Sequence, residues 1–123
     1  MFYKNARIFT PDFRFRTGAF EVRDGLFGEV LPENVPADAV DLNGATVIPG
    51  LIDVHSHGNS GADFSDGDYE GLKRMAKYLA GVGVTSFAPA SMTLPYDVLE
   101  KAFATARKLV DEDPEGCAVL RGI

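Results

Sequence analysis

Apolar and polar positions alternate in short runs over the first fifty residues, then change period. Phe2 to Phe9 reads as a strand, broken by Thr10-Pro11-Asp12. Ala19 to Arg23 and Leu26 to Leu31 flank Asp24-Gly25. An Asp-Gly connection favours a hairpin, because both positions must accept positive φ. Pro32 to Pro36 reads as a loop. Asp38 to Leu42 and Ala45 to Ile48 flank Asn43-Gly44, a second hairpin signal of the same kind. The pattern predicts one layer of a small β-sandwich, with Phe9, Phe13, Phe15, Phe20 and Phe27 as its candidate core.

The period changes after Pro49-Gly50. Leu51-Ile52-Asp53-Val54-His55 is a near-continuous apolar strand, of the kind buried on both faces of a parallel sheet. A loop rich in Gly, Asn, Ser and Asp runs from Gly58 to Gly67. Leu72, Met75, Ala76 and Leu79 then mark one face of a helix over Tyr69 to Ala80. Asp66 or Asp68 can cap its start, and Gly81 or Gly83 can end it. Val84 to Ala88 reads as a second buried strand. Leu99, Ala102, Phe103, Ala106 and Leu109 stripe a second helix over Tyr96 to Val110. Thr93 is the favoured cap of that helix, with Pro95 in its first turn. Ala118 to Ile123 begins a third strand.

The resulting β-α-β-α-β order belongs to the α/β class, with a parallel sheet. The pattern divides the chain into a sandwich portion over 1–48 and a parallel α/β portion over 49–123. A three-stranded parallel sheet with open edges is a poor stopping point, so a longer parent protein is expected.

Composition narrows the partners. A formal charge of −6, with the basic residues scattered, argues against a nucleic-acid surface. No apolar run approaches the roughly 20 residues that cross a bilayer, so no membrane partner is expected. The single cysteine, Cys117, permits no intrachain disulfide and reads as a packing residue. A reduced compartment, the cytoplasm, fits.

The chemistry concentrates at Asp53, His55 and His57. On a regular strand these three project to one face, while Val54 and Ser56 point to the other. Two imidazoles two residues apart at the C-terminal end of a buried strand can reach one divalent ion, and that end is where barrel enzymes build active sites. Imidazole suits zinc, iron and similar metals. These are the only two histidines, so further ligands must come from elsewhere. Asp53 either hydrogen-bonds beside the ligands or only satisfies polar groups inside the fold. Ser91, Met92 and Thr93 are candidates to line a pocket. Asp63, Asp66 and Asp68 lack EF-hand spacing and read as loop and cap residues.

PGLIDVHSHG resembles the opening motif of the amidohydrolase superfamily, where it forms the first strand of a distorted TIM barrel after a small β-sandwich. The resemblance implies that 49–123 is the start of a barrel. HGNSGADFSDGD, GVGVTSFAPASMTLP and GCAVLRGI are similar to segments of the N-acetylglucosamine-6-phosphate deacetylases. The resemblance implies His55 and His57 as ligands for one or two divalent ions, zinc favoured. It implies removal of an acetyl group from a phosphosugar, N-acetylglucosamine 6-phosphate, in amino-sugar catabolism, and a dimeric parent. It places the principal metal-binding glutamate and the catalytic aspartate beyond Ile123, so these 123 residues alone are expected to be inactive. The competing expectations are a hydrolase of cyclic amides or other N-acyl compounds, and a catalytically dead scaffold of the same fold. The Gly-Ala-Asp-Phe run argues against the cyclic-amide hydrolases.

Overall fold

The computed structural model describes residues 1–32 and 34–123, so the loop expected at Pro32 to Pro36 lies partly outside the described residues. The chain is mixed α/β and divides into two compact units, Met1–Pro49 and Gly50–Ile123.

In the first unit β1 (Phe2–Thr10), β2 (Arg14–Arg23) and β3 (Leu26–Leu31) form an antiparallel meander. The Asp24-Gly25 hairpin is as expected, with both residues at positive φ. The second expected hairpin does not form. β4 (Val40–Asp41) and β5 (Thr46–Val47) each pair in parallel with β1 and not with each other.

Asn5 explains this. It sits at φ 53°, where the β1–β2 register slips between Tyr3 and Ala6. Asn43-Gly44 folds over that bulge, with the Gly44 amide donating to the Asn5 carbonyl at 2.7 Å. The Asn5 side chain donates to Asp41 at 3.1 Å, and the Asn43 amide donates to the same carboxylate oxygen at 2.8 Å. These two bonds, the Asn43 amide foremost, hold the Asp41 carboxyl below its ordinary pKa. A turn that looks like a hairpin therefore serves as a kink in one line of chain following β1.

The first unit's core is smaller than the phenylalanines suggest. Ala6, Ile8 and Phe20 are buried, flanked by Tyr3, Val22, Val30, Leu42 and Val47. Of the five candidates only Phe20 is buried, whereas Phe13, Phe15 and Phe27 are exposed. Phe27 stacks on Phe20 but stays exposed at its outer side, and strand alternation accounts for Phe15. Phe9 and Phe15 pair across β1 and β2 on the face opposite Ile8, where Arg7 lies over the Phe15 ring.

The second unit is a parallel sheet, ordered β10-β9-β6, carrying two helices. Its elements are β6 (Leu51–Ser56), a small hairpin of β7 (Gly58–Asn59) and β8 (Ala62–Asp63), and a 3-10 turn at Phe64–Asp66. α1 (Tyr69–Gly81), β9 (Val84–Pro89), α2 (Tyr96–Glu112) and β10 (Val119–Leu120) follow. Asp68 caps α1 by accepting from the Glu70 and Gly71 amides. Asp63 and Asp66 cap the 3-10 turn reciprocally.

Thr93 does not cap α2. That helix starts from Pro95, with no side-chain cap, because its first turn lies beyond the reach of Thr93. The expected third strand contracts to Val119–Leu120. Cys117 packs against the core as expected.

Leu72, Met75, Ala76 and Leu79 of α1 join Ala102, Ala106 and Leu109 of α2 around Phe64, Phe87, Ala118 and Leu120. Each fully buried Leu or Met contributes about 1.5–3 kcal/mol. Within these 123 residues Leu51, Ile52 and Val54 of β6 are 55%, 67% and 72% exposed, where the sequence predicts burial on both faces. β6 lies at the sheet edge, while the helices pack on β9 and β10.

Two predictions follow from this packing. A Cβ on Gly50 would lie 2.1 Å from Thr85 Oγ1 and 2.3 Å from its Cγ2, and threonine is too short to swing aside. Gly50→Ala should destabilise the second unit by about 1–3 kcal/mol, read by denaturant unfolding; an unchanged midpoint would refute the contact.

The Tyr69 hydroxyl donates to Glu112, and that bond pushes its pKa from 10.0 up to about 12. The folded pKa exceeds the unfolded one, so this bond's stabilisation is present below pH 10 and lost as pH rises through about 12. Ultraviolet titration should find one tyrosine ionising near pH 12 that returns toward 10 in Glu112→Gln.

Candidate metal centre

The C-terminal end of β6 is not a regular strand. Asp53 pairs with Phe87 and Ser56 with Pro89, so β6 advances three residues while β9 advances two. The extra residue is a bulge at Val54-His55, and bulges re-aim side chains at sheet edges and beside sites. The bulge interrupts regular alternation between Asp53 and Ser56, yet the His55 and His57 rings still project together, as expected for that pair. Asp53 is half-buried, and its carboxylate accepts the His55 backbone N–H at 3.1 Å. It satisfies its own strand, and no hydrogen bond joins it to either imidazole among the described residues.

His57 leaves the strand and is held at both ends. Its carbonyl accepts the Phe64 amide at 2.8 Å. Its ring Nδ1 lies 2.7 Å from the Ala90 carbonyl oxygen. A carbonyl can only accept, so Nδ1 carries the proton and Nε2 presents its lone pair. Ala90 is itself fixed, since its N–H donates to the Ser56 carbonyl at 2.9 Å. His55 is exposed, its ring centre 5.2 Å from that of His57 and nearly perpendicular to it at 82°.

The pair fits a divalent ion on two counts. Two imidazoles on one zinc, each with a bond of about 2.1 Å in tetrahedral arrangement, have ring centres about 5 Å apart. A backbone carbonyl on the distal nitrogen is the usual partner of a metal-binding histidine, because it fixes tautomer and ring orientation. No group of three or more His, Cys, Asp or Glu gathers here among the described residues, so these two are a partial donor set.

Ser91, Met92 and Thr93 follow β9 at this same end, Ser91 half-buried and the other two exposed. The Met92 amide donates to Ser65 Oγ at 3.4 Å. Sequence reasoning missed Phe64, Ser65 and Ala90. Phe64 and Ala90 act through backbone atoms, which leave no side-chain signature. Ser65 offered only the signal of a small polar residue beside a core phenylalanine. Asn59 was missed too; its amide nitrogen and oxygen are buried without a partner among the described residues.

No family model matches the chain. It is 36% identical to an N-acetylglucosamine-6-phosphate deacetylase of Vibrio furnissii over 68% of this chain and 21% of that protein. It is 30% identical to the enzyme of that name from Bacillus subtilis over 98% of this chain and 32% of that one. The crystal structure of the Pasteurella multocida N-acetylglucosamine-6-phosphate deacetylase superposes with a TM-score of 0.83 at 26% identity, covering 99% of this chain and 34% of its own. The chain thus spans between about a fifth and a third of the length of these relatives. Along nearly its whole length the chain is homologous to N-acetylglucosamine-6-phosphate deacetylases, and it corresponds to about a third of one.

Proposed function

We propose that this chain supplies the first two metal ligands, His55 and His57, of an N-acetylglucosamine-6-phosphate deacetylase. The observation that carries this is the His57 ring, locked with Nε2 free beside the His55 ring in a chain homologous to those enzymes. Residues 1–48 form part of a small β-sandwich, and 49–123 form the opening β-α-β-α-β units of a barrel. Further ligands and the proton-transferring carboxylate come from polypeptide beyond these residues, and the parent is a dimer.

A divalent ion, zinc by preference, would supply Lewis-acid chemistry, activating water and polarising an acetamide carbonyl. The chain's own part is to orient. The Ala90 carbonyl selects the His57 tautomer, the Phe64 amide fixes its backbone, and the bulge turns His55 toward it. Asp53 holds the bulged backbone through the His55 N–H rather than moving a proton. Acetate and glucosamine 6-phosphate are the products. A phosphorylated sugar does not cross a bilayer unaided, because its charge resists desolvation, so the activity belongs in the cytoplasm where such substrates are made.

Zinc should bind the 123-residue chain measurably by calorimetry, and His55→Ala or His57→Ala should each weaken binding at least tenfold. The chain alone should release no acetate from N-acetylglucosamine 6-phosphate. A polypeptide of the relatives' full length containing it should do so, and should lose that activity in the double variant. Zinc binding unaffected by both substitutions would sink the ligand assignment. A folded, metal-loaded full-length protein that releases no acetate would sink the substrate, leaving cyclic amides or other N-acyl compounds.

A further inference from the structure

The 3-10 turn at Phe64–Asp66 is hydrogen-bonded both to His57 and to the loop after β9. On one side the Phe64 amide donates to the His57 carbonyl at 2.8 Å. On the other the Ser65 hydroxyl accepts the Met92 amide at 3.4 Å, two residues after the Ala90 carbonyl that receives the His57 ring proton. These three hydrogen bonds close a circuit: His57 backbone to Phe64, Ser65 to Met92, and Ala90 back to the His57 ring.

The turn is a stiff post for that circuit. Phe64 is only 2% exposed within the core, and Ser65 is buried at 9%. The Asp63 carboxylate accepts the Ser65 amide at 2.8 Å, while the Asp63 amide donates to Asp66 at 3.1 Å. From the other side Thr105 of α2 donates to the Gly67 carbonyl at 3.1 Å. A buried hydroxyl without a partner is costly, so Ser65 at this position implies that its bond to the Met92 amide is used.

We propose that Ser65 is a positioning residue for His57: through the Met92 amide it holds the Ala90 carbonyl against the imidazole and so fixes which ring nitrogen is presented to an ion. This rests on the reading of His57 as a ligand, but its first consequence is visible without metal. The loop Ala90–Thr93 carries no regular secondary structure, so the Ser65 hydroxyl is its tie to the turn. The Ala90 N–H stays anchored to the Ser56 carbonyl. Without the Ser65 tie, however, the peptide plane after Ala90 is held on one side only, so its carbonyl can rotate off the ring and both neutral tautomers of His57 become accessible.

The test compares wild type, Ser65→Ala and Ser65→Thr as the full 123-residue chain. Nitrogen-15 NMR of the neutral His57 ring should show the Nδ1–H tautomer alone in wild type. It should show a mixture in Ser65→Ala with faster Met92 amide exchange, and a return to the single tautomer in Ser65→Thr, which keeps the hydroxyl. Zinc alone should bind Ser65→Ala roughly tenfold more weakly than wild type, as for other partners of metal-binding histidines. A Ser65→Ala chain with an unchanged tautomer and unchanged zinc affinity overturns the proposal. So does equal loss in the alanine and threonine variants, which would make packing the cause. A single tautomer in wild type, lost in Ser65→Ala, with no zinc bound by either, upholds the positioning role and refutes the metal assignment instead.

Discussion

The parallel pairing of β6 with β9 is the constraint on which the second unit depends. Parallel strands cannot be joined by a tight turn, so α1 must cross between them, and the core forms where that helix and α2 meet the sheet. The same pairing decides the site. Ser56 opposite Pro89 brings the Ala90 amide to the Ser56 carbonyl, and the Ala90 carbonyl then meets the His57 ring. The register also slips at the other end, where Leu51 pairs with Val84 and Ile52 with Ser86, leaving Thr85 against Gly50. β6 is therefore pinned between two irregularities, one requiring a glycine and the other turning out a histidine.

A similar economy organises the first unit. β1 is the central strand, pairing β2 on one side and β4 and β5 on the other, while β3 pairs with β2. One residue at positive φ, Asn5, bulges it, and the Asn43-Gly44 turn answers that bulge. Hydrogen bonding at exposed Asp41, whose carboxylate is held by two N–H donors, joins the packing of Leu42 and Val47 in securing the arrangement. The ion pairs of the chain, such as Arg16–Asp12 and Arg107–Asp111, are solvent-exposed and add little by comparison.

The periodic segments were legible from the sequence. The 3.6-residue spacing of Leu72, Met75, Ala76 and Leu79 placed α1 to within a residue, and all four are buried. Asp68 as one of two candidate caps, Asp24-Gly25 as hairpin and the β-α-β-α-β order were equally local, because each depends on residues within a few positions of one another. The histidine pair was readable as chemistry for the same reason: two imidazoles and a glycine exit stand within four residues.

What the sequence could not contain was the outcome of pairing at a distance. Whether Asn43-Gly44 makes a hairpin depends on the bulge at Asn5, nearly forty residues earlier. That Phe15 is exposed depends on which face of the sheet Ile8 takes. The apolar composition of Leu51, Ile52 and Val54 says that they can be buried, but only the position of β6 at the sheet edge decides that they are exposed here. Strand alternation put His55 and His57 together, but the bulge between Asp53 and Ser56 comes from a register that β9 sets. The sequence by itself determined the elements and the ligand types, because these follow from local spacing; the tertiary structure decided the tautomer, the bulge and the clamp around His57, because those depend on backbone carbonyls and amides brought in from distant parts of the chain.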